Sequence, residues 1–89
     1  MKAIVTVIGK DQVGIIAAVC SALSKQQVNV LDISQTVLQD YFVMIMLTDL
    51  AACQISFAEL SEHLRETGTG LGMEIRVQRE DIFNAMHRI

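Results

Sequence analysis

Two glycines and an aspartate lie close together near the start of the chain, at Gly9, Asp11 and Gly14. They separate a run of strand-forming residues from an apolar run that is typical of a helix. Glycines let the backbone turn tightly, and the unpaired amides at a helix start attract a carboxylate. The Asp11 carboxylate either caps that helix or accepts the ammonium group of a ligand.

A third polar group comes from further along the chain. Asn29 stands just before the next strand-like segment and could add a side-chain amide from a neighbouring element. A carboxylate acceptor, an ammonium acceptor and a polar amide together describe a pocket for an amino acid. The alternative is that Asp11 only caps the helix and the glycines only turn the chain, and the spacing leaves both interpretations open.

Nucleotide and phosphoryl chemistry at this turn is excluded by its residue types. The segment from Gly9 to Gly14 has part of the dinucleotide spacing GxGxxG, but Asp11 stands where a glycine must approach the pyrophosphate. An acylphosphatase-like enzyme needs a loop arginine to neutralise the phosphoryl group, and the loop offers Lys10 beside Asp11. The serines lack inferable histidine and carboxylate partners, so we expect no catalytic residues and no enzyme.

Metal and nucleic-acid sites are not expected either. Cys20 lies within the first helical segment with no second thiol nearby, and His63 and His87 lack the spacing of metal ligands. Aromatic residues make up 4% of the chain, too few for base stacking, and the seven Lys and Arg residues are scattered. We therefore expect no metal, no cofactor and no nucleic-acid partner.

Composition is typical of a small cytoplasmic protein. At 89 residues the chain has room for one domain, and at 52% hydrophobic residues it is too apolar to be disordered. Asp32, Asp40 and Asp49 interrupt the most apolar region, so no stretch is long enough to span a membrane. Two lone cysteines in apolar segments, Cys20 and Cys53, predict buried thiols in a reducing compartment.

Strand and helix patterns alternate along the chain. Strands are predicted at Lys2–Ile8, Val30–Leu38, Tyr41–Asp49 and Met73–Arg79. Helices are predicted at Gly14–Gln26, from the Ser56 N-cap with its Glu59 partner to Thr67–Gly68, and in the tail at Glu80–Ile89. The inward stripe of the first helix is expected to consist of Ile15, Ile16, Val19, Ala22 and Leu23.

This order of elements predicts an α+β fold, the ferredoxin-like βαββαβ sandwich. Right-handed crossovers favour a four-stranded antiparallel sheet in the order 4-1-3-2, with two helices on one face and a short C-terminal helix. We expect one domain over residues 1–89, with a core at 1–79 and a tail at 80–89. Apolar side chains of the third strand on the other face indicate self-association, or are covered by the tail helix folding back.

The stretches Gly9–Ala17 and Asn29–Ile33 together resemble the ACT domain, a regulatory module that binds amino acids and related small ligands. The resemblance spans residues 1–79 in the same βαββαβ order. The chain is most similar to the small stand-alone ACT proteins of bacteria and archaea, through Leu31–Thr36, Asp40–Phe42 and Asp81–Ile89. It also resembles the N-terminal domains of formyltetrahydrofolate deformylases and the glycine-cleavage-system repressor proteins. Many ACT loops have proline where this chain has Val13.

The resemblance implies a homodimer or higher homo-oligomer, with ligand held between the first loop and helix of one subunit and the second strand of its neighbour. The ligand-facing residues that it implies are Lys10, Asp11, Val13, Gly14, Ile15, Asn29, Val30 and Leu31. The leading hypothesis is a cytoplasmic, non-catalytic sensor of an amino acid or related metabolite that acts on a metabolic enzyme or regulator. The alternative is a ligand-free module that regulates such a partner through protein contacts.

Overall fold

The computed structural model describes residues 1–86, apart from the side chains of Phe83 and Met86. Strands and helices follow one another in the order βαββαβα, as predicted. Their bounds are β1 (Lys2–Lys10), α1 (Ile15–Lys25), β2 (Asn29–Leu38), β3 (Tyr41–Asp49), α2 (Phe57–Leu71), β4 (Met73–Arg79) and α3 (Glu80–Met86). The end of the predicted tail helix, which includes His87, lies outside the described residues. No helix within the described part is long and apolar enough to cross a bilayer.

The strands form one antiparallel sheet in the order β2-β3-β1-β4, which is the predicted 4-1-3-2 read from the other edge. β1 and β3 are central, and their register runs from Lys2 opposite Asp49 to Lys10 opposite Tyr41. The central position suits β3, whose residues are apolar on both faces, because β2 and β1 pair with both of its edges. β2 and β4 form the two edges of the sheet.

The core lies between one face of the sheet and the helices α1 and α2. Its sheet side consists mainly of Ala3, Val5, Val7, Met44 and Met46, and its helix side of Ile15, Val19, Leu23, Leu60 and Leu64. The buried Thr48 hydroxyl donates a hydrogen bond to the Ala3 carbonyl at 2.8 Å, which removes the cost of burying it. The expectation that Ile16 faces inward was wrong, since its side chain is exposed. The buried stripe of α1 consists of residues four apart, Ile15, Val19 and Leu23, and Ile16 lies beside that stripe.

α2 is longer than the sequence predicts, because Gly68 lies within the helix and does not end it. The helix continues through Gly68 to Leu71 and ends at Gly72 in the left-handed conformation. Gly68 is buried, and a Cβ placed on it would lie 2.6 Å from the Met73 carbonyl oxygen. This glycine therefore lets the helix approach β4 closely and does not terminate it.

Two glycines within α2 provide a matched test of this packing. We expect Gly68→Ala to destabilise the fold by about 1–3 kcal/mol, since the methyl group meets backbone that cannot easily move. At Gly70 no described atom other than its chain neighbours and nearby helix backbone lies within 4 Å of an added Cβ, so Gly70→Ala should instead stabilise by about 0.5–1 kcal/mol through helix propensity. Urea unfolding followed by circular dichroism at one protein concentration measures both. If both substitutions raised the free energy of unfolding, or both lowered it, the result would contradict the packing role of Gly68.

The other face of the sheet carries no long helix, and we call it the open face. In the register of the strands it consists of Ile4, Thr6 and Ile8 of β1, Val43, Ile45 and Leu47 of β3, Glu74, Arg76 and Gln78 of β4, and Asp32, Ser34 and Thr36 of β2. α3 contacts β1 and β4. It nevertheless leaves Ile8 and Ile45 44% and 43% exposed, so the described part of the tail does not cover this face.

Candidate functional site

The turn between β1 and α1 leaves the start of the helix without a side-chain cap. Gly14 is the N-cap residue, with a φ of 89° that a side chain would strain. Among the described residues, no side chain accepts a hydrogen bond from the first amides of α1. The alternative in which Asp11 caps the helix was therefore wrong, and the amides of Ile15 and Ile16 have no partner within the helix.

Two hydrogen bonds hold this turn in place. The Asp11 amide donates to the Asp40 carbonyl at 2.8 Å, which joins the turn to the hairpin between β2 and β3. The Gln12 side-chain amide donates to the Leu71 carbonyl at 2.5 Å, at the C-terminal end of α2. The turn is thus fixed against two other elements, while the Asp11 side chain remains exposed.

The first group of predicted site residues lies along this turn. Lys10, Asp11, Val13 and Gly14 are all exposed, and Val13 is fully so. Ile15 differs, because its side chain is buried in the core and only its backbone amide is available to a ligand. Gly9 has a packing role, since a Cβ there would lie 2.4 Å from the Met73 sulfur.

The second group of predicted site residues lies at the N-terminal end of β2. Asn29 and Leu31 are exposed, and Val30 is half-buried. A β-bulge falls at Leu31, because the register moves from Val30 opposite Thr48 to Asp32 opposite the next β3 residue. Bulges redirect a side chain and occur often beside binding sites. The sequence carries no glycine at this point, so nothing in it indicated the bulge.

These two groups are not neighbours within one chain. Lys10 is level with Tyr41 at the start of β3, whereas Asn29 is level with Asp49 at its end. At about 3.3 Å per residue the two ends of β3 lie roughly 25 Å apart. The expectation that Asn29 supplies an amide beside the turn is therefore not met in a single chain.

The exposure of β2 on both of its faces was not predicted from the sequence. Its edge position was predicted correctly, but every residue from Leu31 to Leu38 is exposed, on both faces of the strand. β2 has its extensive contacts with β3, and neither core helix covers it within the described residues. Ile33, Val37 and Leu38 are 40%, 54% and 62% exposed. The apolar residues of β2 were the sequence feature that could have indicated an exposed contact surface on this strand.

The remaining candidate groups stay apart from this turn. Cys20 and Cys53 are free, and each is half-buried. The prediction that both thiols are fully buried was therefore wrong. His63 is exposed on α2, as expected of a solvated side chain. Within residues 1–86 no three His, Cys, Asp or Glu side chains converge as metal ligands do.

A family model for the ACT domain matches residues 2–78. The chain belongs to the ACT domain family. A UPF0237 protein of Clostridium acetobutylicum is 56% identical over 89 residues, and the match covers 100% of both chains. An ACT domain protein from Streptococcus pneumoniae has a similar structure, with a TM-score of 0.84, 39% identity and 98% of each chain covered.

A larger protein contains the same fold. The regulatory subunit of aspartate kinase from Thermus thermophilus matches with a TM-score of 0.68 and 28% identity, over 89% of this chain and 51% of that one. ACT domains are commonly regulatory, ligand-binding domains, and they often dimerise. The resemblance inferred from the turn and from Asn29–Ile33 is confirmed.

Proposed function

We propose that two copies of this chain pair through β2 and that each pair binds an amino acid or a related metabolite at two shared sites. The exposure of β2 on both faces supports the pairing most strongly. A long exposed edge strand presents unpaired backbone groups that natural proteins usually protect. A second β2 would satisfy those groups and cover Ile33 and Val37, which are 40% and 54% exposed, at roughly 1 kcal/mol for each side chain.

Antiparallel pairing about a two-fold axis would also complete the site. With the axis near the middle of Asn29–Leu38, Asn29 of the partner subunit comes close to Leu38. Leu38 leads into the hairpin whose Asp40 carbonyl holds the Asp11 amide. The groups that lie far apart in one chain would thus face one another across the subunit boundary.

The chemistry of the combined groups suits a zwitterion. The free amides at the start of α1 and the partial positive charge of that helix end favour a carboxylate. The exposed Asp11 carboxylate would accept the ammonium group, and Asn29 of the partner subunit would add an amide. Val13 and Leu31 are exposed apolar residues that could contact the ligand's side chain.

A ligand held between two chains would act without catalysis. Because it binds the pair and not the separate chains, it would stabilise the dimer by mass action and shift its population. A metabolic enzyme or regulator that contacts only the paired form would then respond to the metabolite. We place this action in the cytoplasm, where free thiols such as Cys20 and Cys53 persist.

A calorimetric titration with the twenty common L-amino acids, each at millimolar concentration, tests the proposal. We expect at least one to bind the wild-type protein, and Asp11→Ala to weaken that binding at least about tenfold by removing the ammonium acceptor. Glu66→Ala, which removes the same charge from an exposed position on α2, is the matched control and should bind normally. Absence of binding across the whole set would contradict the proposal.

The open face favours a second candidate function, that of a ligand-free interaction module. Its apolar side chains, among them Ile8 and Ile45, could contact an enzyme or regulator directly. Stoichiometric co-purification with such a protein, unchanged by Asp11→Ala and accompanied by no amino-acid binding, would support this alternative.

A further inference from the structure

The outer edge of β4 is the second edge of the sheet. β4 stands last in the strand order, and among the described residues no strand pairs with its outer side. A groove of about 920 Å³ follows this edge. Ser61 and Arg65 of α2 line it on the helix side, and Ile8 and Arg76 line it on the open face. The groove therefore reaches both faces of β4, as the site of an added strand must.

The side chains of β4 determine which strand would fit beside it. Glu74 and Arg76 lie on the open face, two residues apart, and pair with each other while 58% and 79% exposed. An exposed ion pair contributes little by itself, so both charges remain available to a second chain. Ile75 and Val77 lie on the helix side, where Val77 is half-buried. The edge thus presents both charges on one face and apolar side chains on the other.

A second copy of this chain does not suit the β4 edge. In the proposed function β2 already pairs with β2, so pairing of β4 with β4 would continue the sheet from dimer to dimer without closing. Natural proteins prevent such edge-to-edge growth. This step rests on the proposed function, and it leaves the β4 edge to a strand from a different protein.

We propose that the β4 edge binds an extended segment of a partner protein, which adds a fifth strand to the four-stranded sheet. Main-chain hydrogen bonds would hold the segment, and its alternating side chains would select it. In antiparallel register an acidic residue lies opposite Arg76 and a basic residue opposite Glu74, with an apolar residue between them beside Ile75. The partner segment therefore reads acidic, apolar, basic along its chain.

Fluorescence polarisation with a labelled peptide, Thr-Val-Glu-Val-Lys-Thr, tests this on the full chain without added amino acid. We expect saturable binding to the wild-type protein. Arg76→Glu should weaken it about fivefold and strengthen binding of Thr-Val-Lys-Val-Lys-Thr about as much, because attraction and repulsion exchange at that position. Lys25→Glu reverses a charge at an exposed position on α1 and should leave both affinities unchanged. Circular dichroism establishes that each variant is folded.

The contrary results are distinct from a failure of the proposed function. Asp11→Ala should bind the first peptide normally, so loss of amino-acid binding and loss of peptide binding are separate outcomes. No saturable binding of that peptide at millimolar concentration would mean that Glu74 and Arg76 only protect the edge, and would overturn the proposal. Unchanged peptide preference in Arg76→Glu would overturn it too. So would a wild-type mass, by light scattering, that keeps growing with protein concentration, since copies would then occupy the edge.

Discussion

Ile33→Glu is expected to raise the dissociation constant of the β2 pair by at least about a hundredfold, which is roughly 2.7 kcal/mol. Ile33 lies near the middle of β2 and is 40% exposed. In an antiparallel pair about a two-fold axis, a residue near the middle comes close to its own copy. The substitution therefore loses apolar contact in both chains and brings two like charges together. Sedimentation equilibrium over a range of protein concentrations measures the constant.

The control for this variant changes the same side chain at similar exposure. Ile82, on α3, is 43% exposed and lies away from β2, so Ile82→Glu should leave the dissociation constant unchanged. Because Ile33 is outside the core, the fold of each chain should survive in both variants. A β2 variant that stays paired at micromolar concentration would contradict pairing through this edge.

The sheet could be predicted from the sequence because its strands differ in polarity. The third strand, Tyr41–Asp49, is apolar on both faces and so had to be central, whereas Met73–Arg79 alternates and so suits an edge. The capping box was also predicted correctly, since the Glu59 amide donates to the Ser56 hydroxyl at 3.1 Å. These features depend on residues that are close together in the sequence, so the residue pattern alone predicts them.

The features that could not be predicted depend on contacts distant in sequence. Gly68 is a helix terminator by local rules, and only the position of Met73 against it reveals a packing glycine. The bulge at Leu31 depends on how β2 pairs with β3. The separation of Asn29 from the turn depends on the sheet register, which places them at opposite ends. The residue pattern therefore predicts two groups of candidate site residues, but not that they lie at opposite ends of β3 within one chain.

Mixing two inactive variants is expected to restore binding. Asp11→Ala and Asn29→Ala each remove one group from every site of their own dimers, so each alone should bind the amino acid at least about tenfold more weakly. In a mixed dimer, one site combines both substitutions and the other combines the native Asp11 of one chain with the native Asn29 of its partner. Random pairing of equal amounts should therefore recover about one quarter of the wild-type sites.

This recovery separates a shared site from a site within one chain. The two variants are unfolded together in urea, refolded by dilution and titrated calorimetrically with the amino acid that binds the wild-type protein most tightly. The same variants refolded separately and then mixed provide the control, because subunits that do not exchange form no mixed dimers. Wild-type affinity at about a quarter of the capacity indicates that each ligand contacts two chains, as the opposite ends of β3 require. No recovery after co-refolding, with mixed dimers shown by native mass spectrometry, would place the whole site within one subunit.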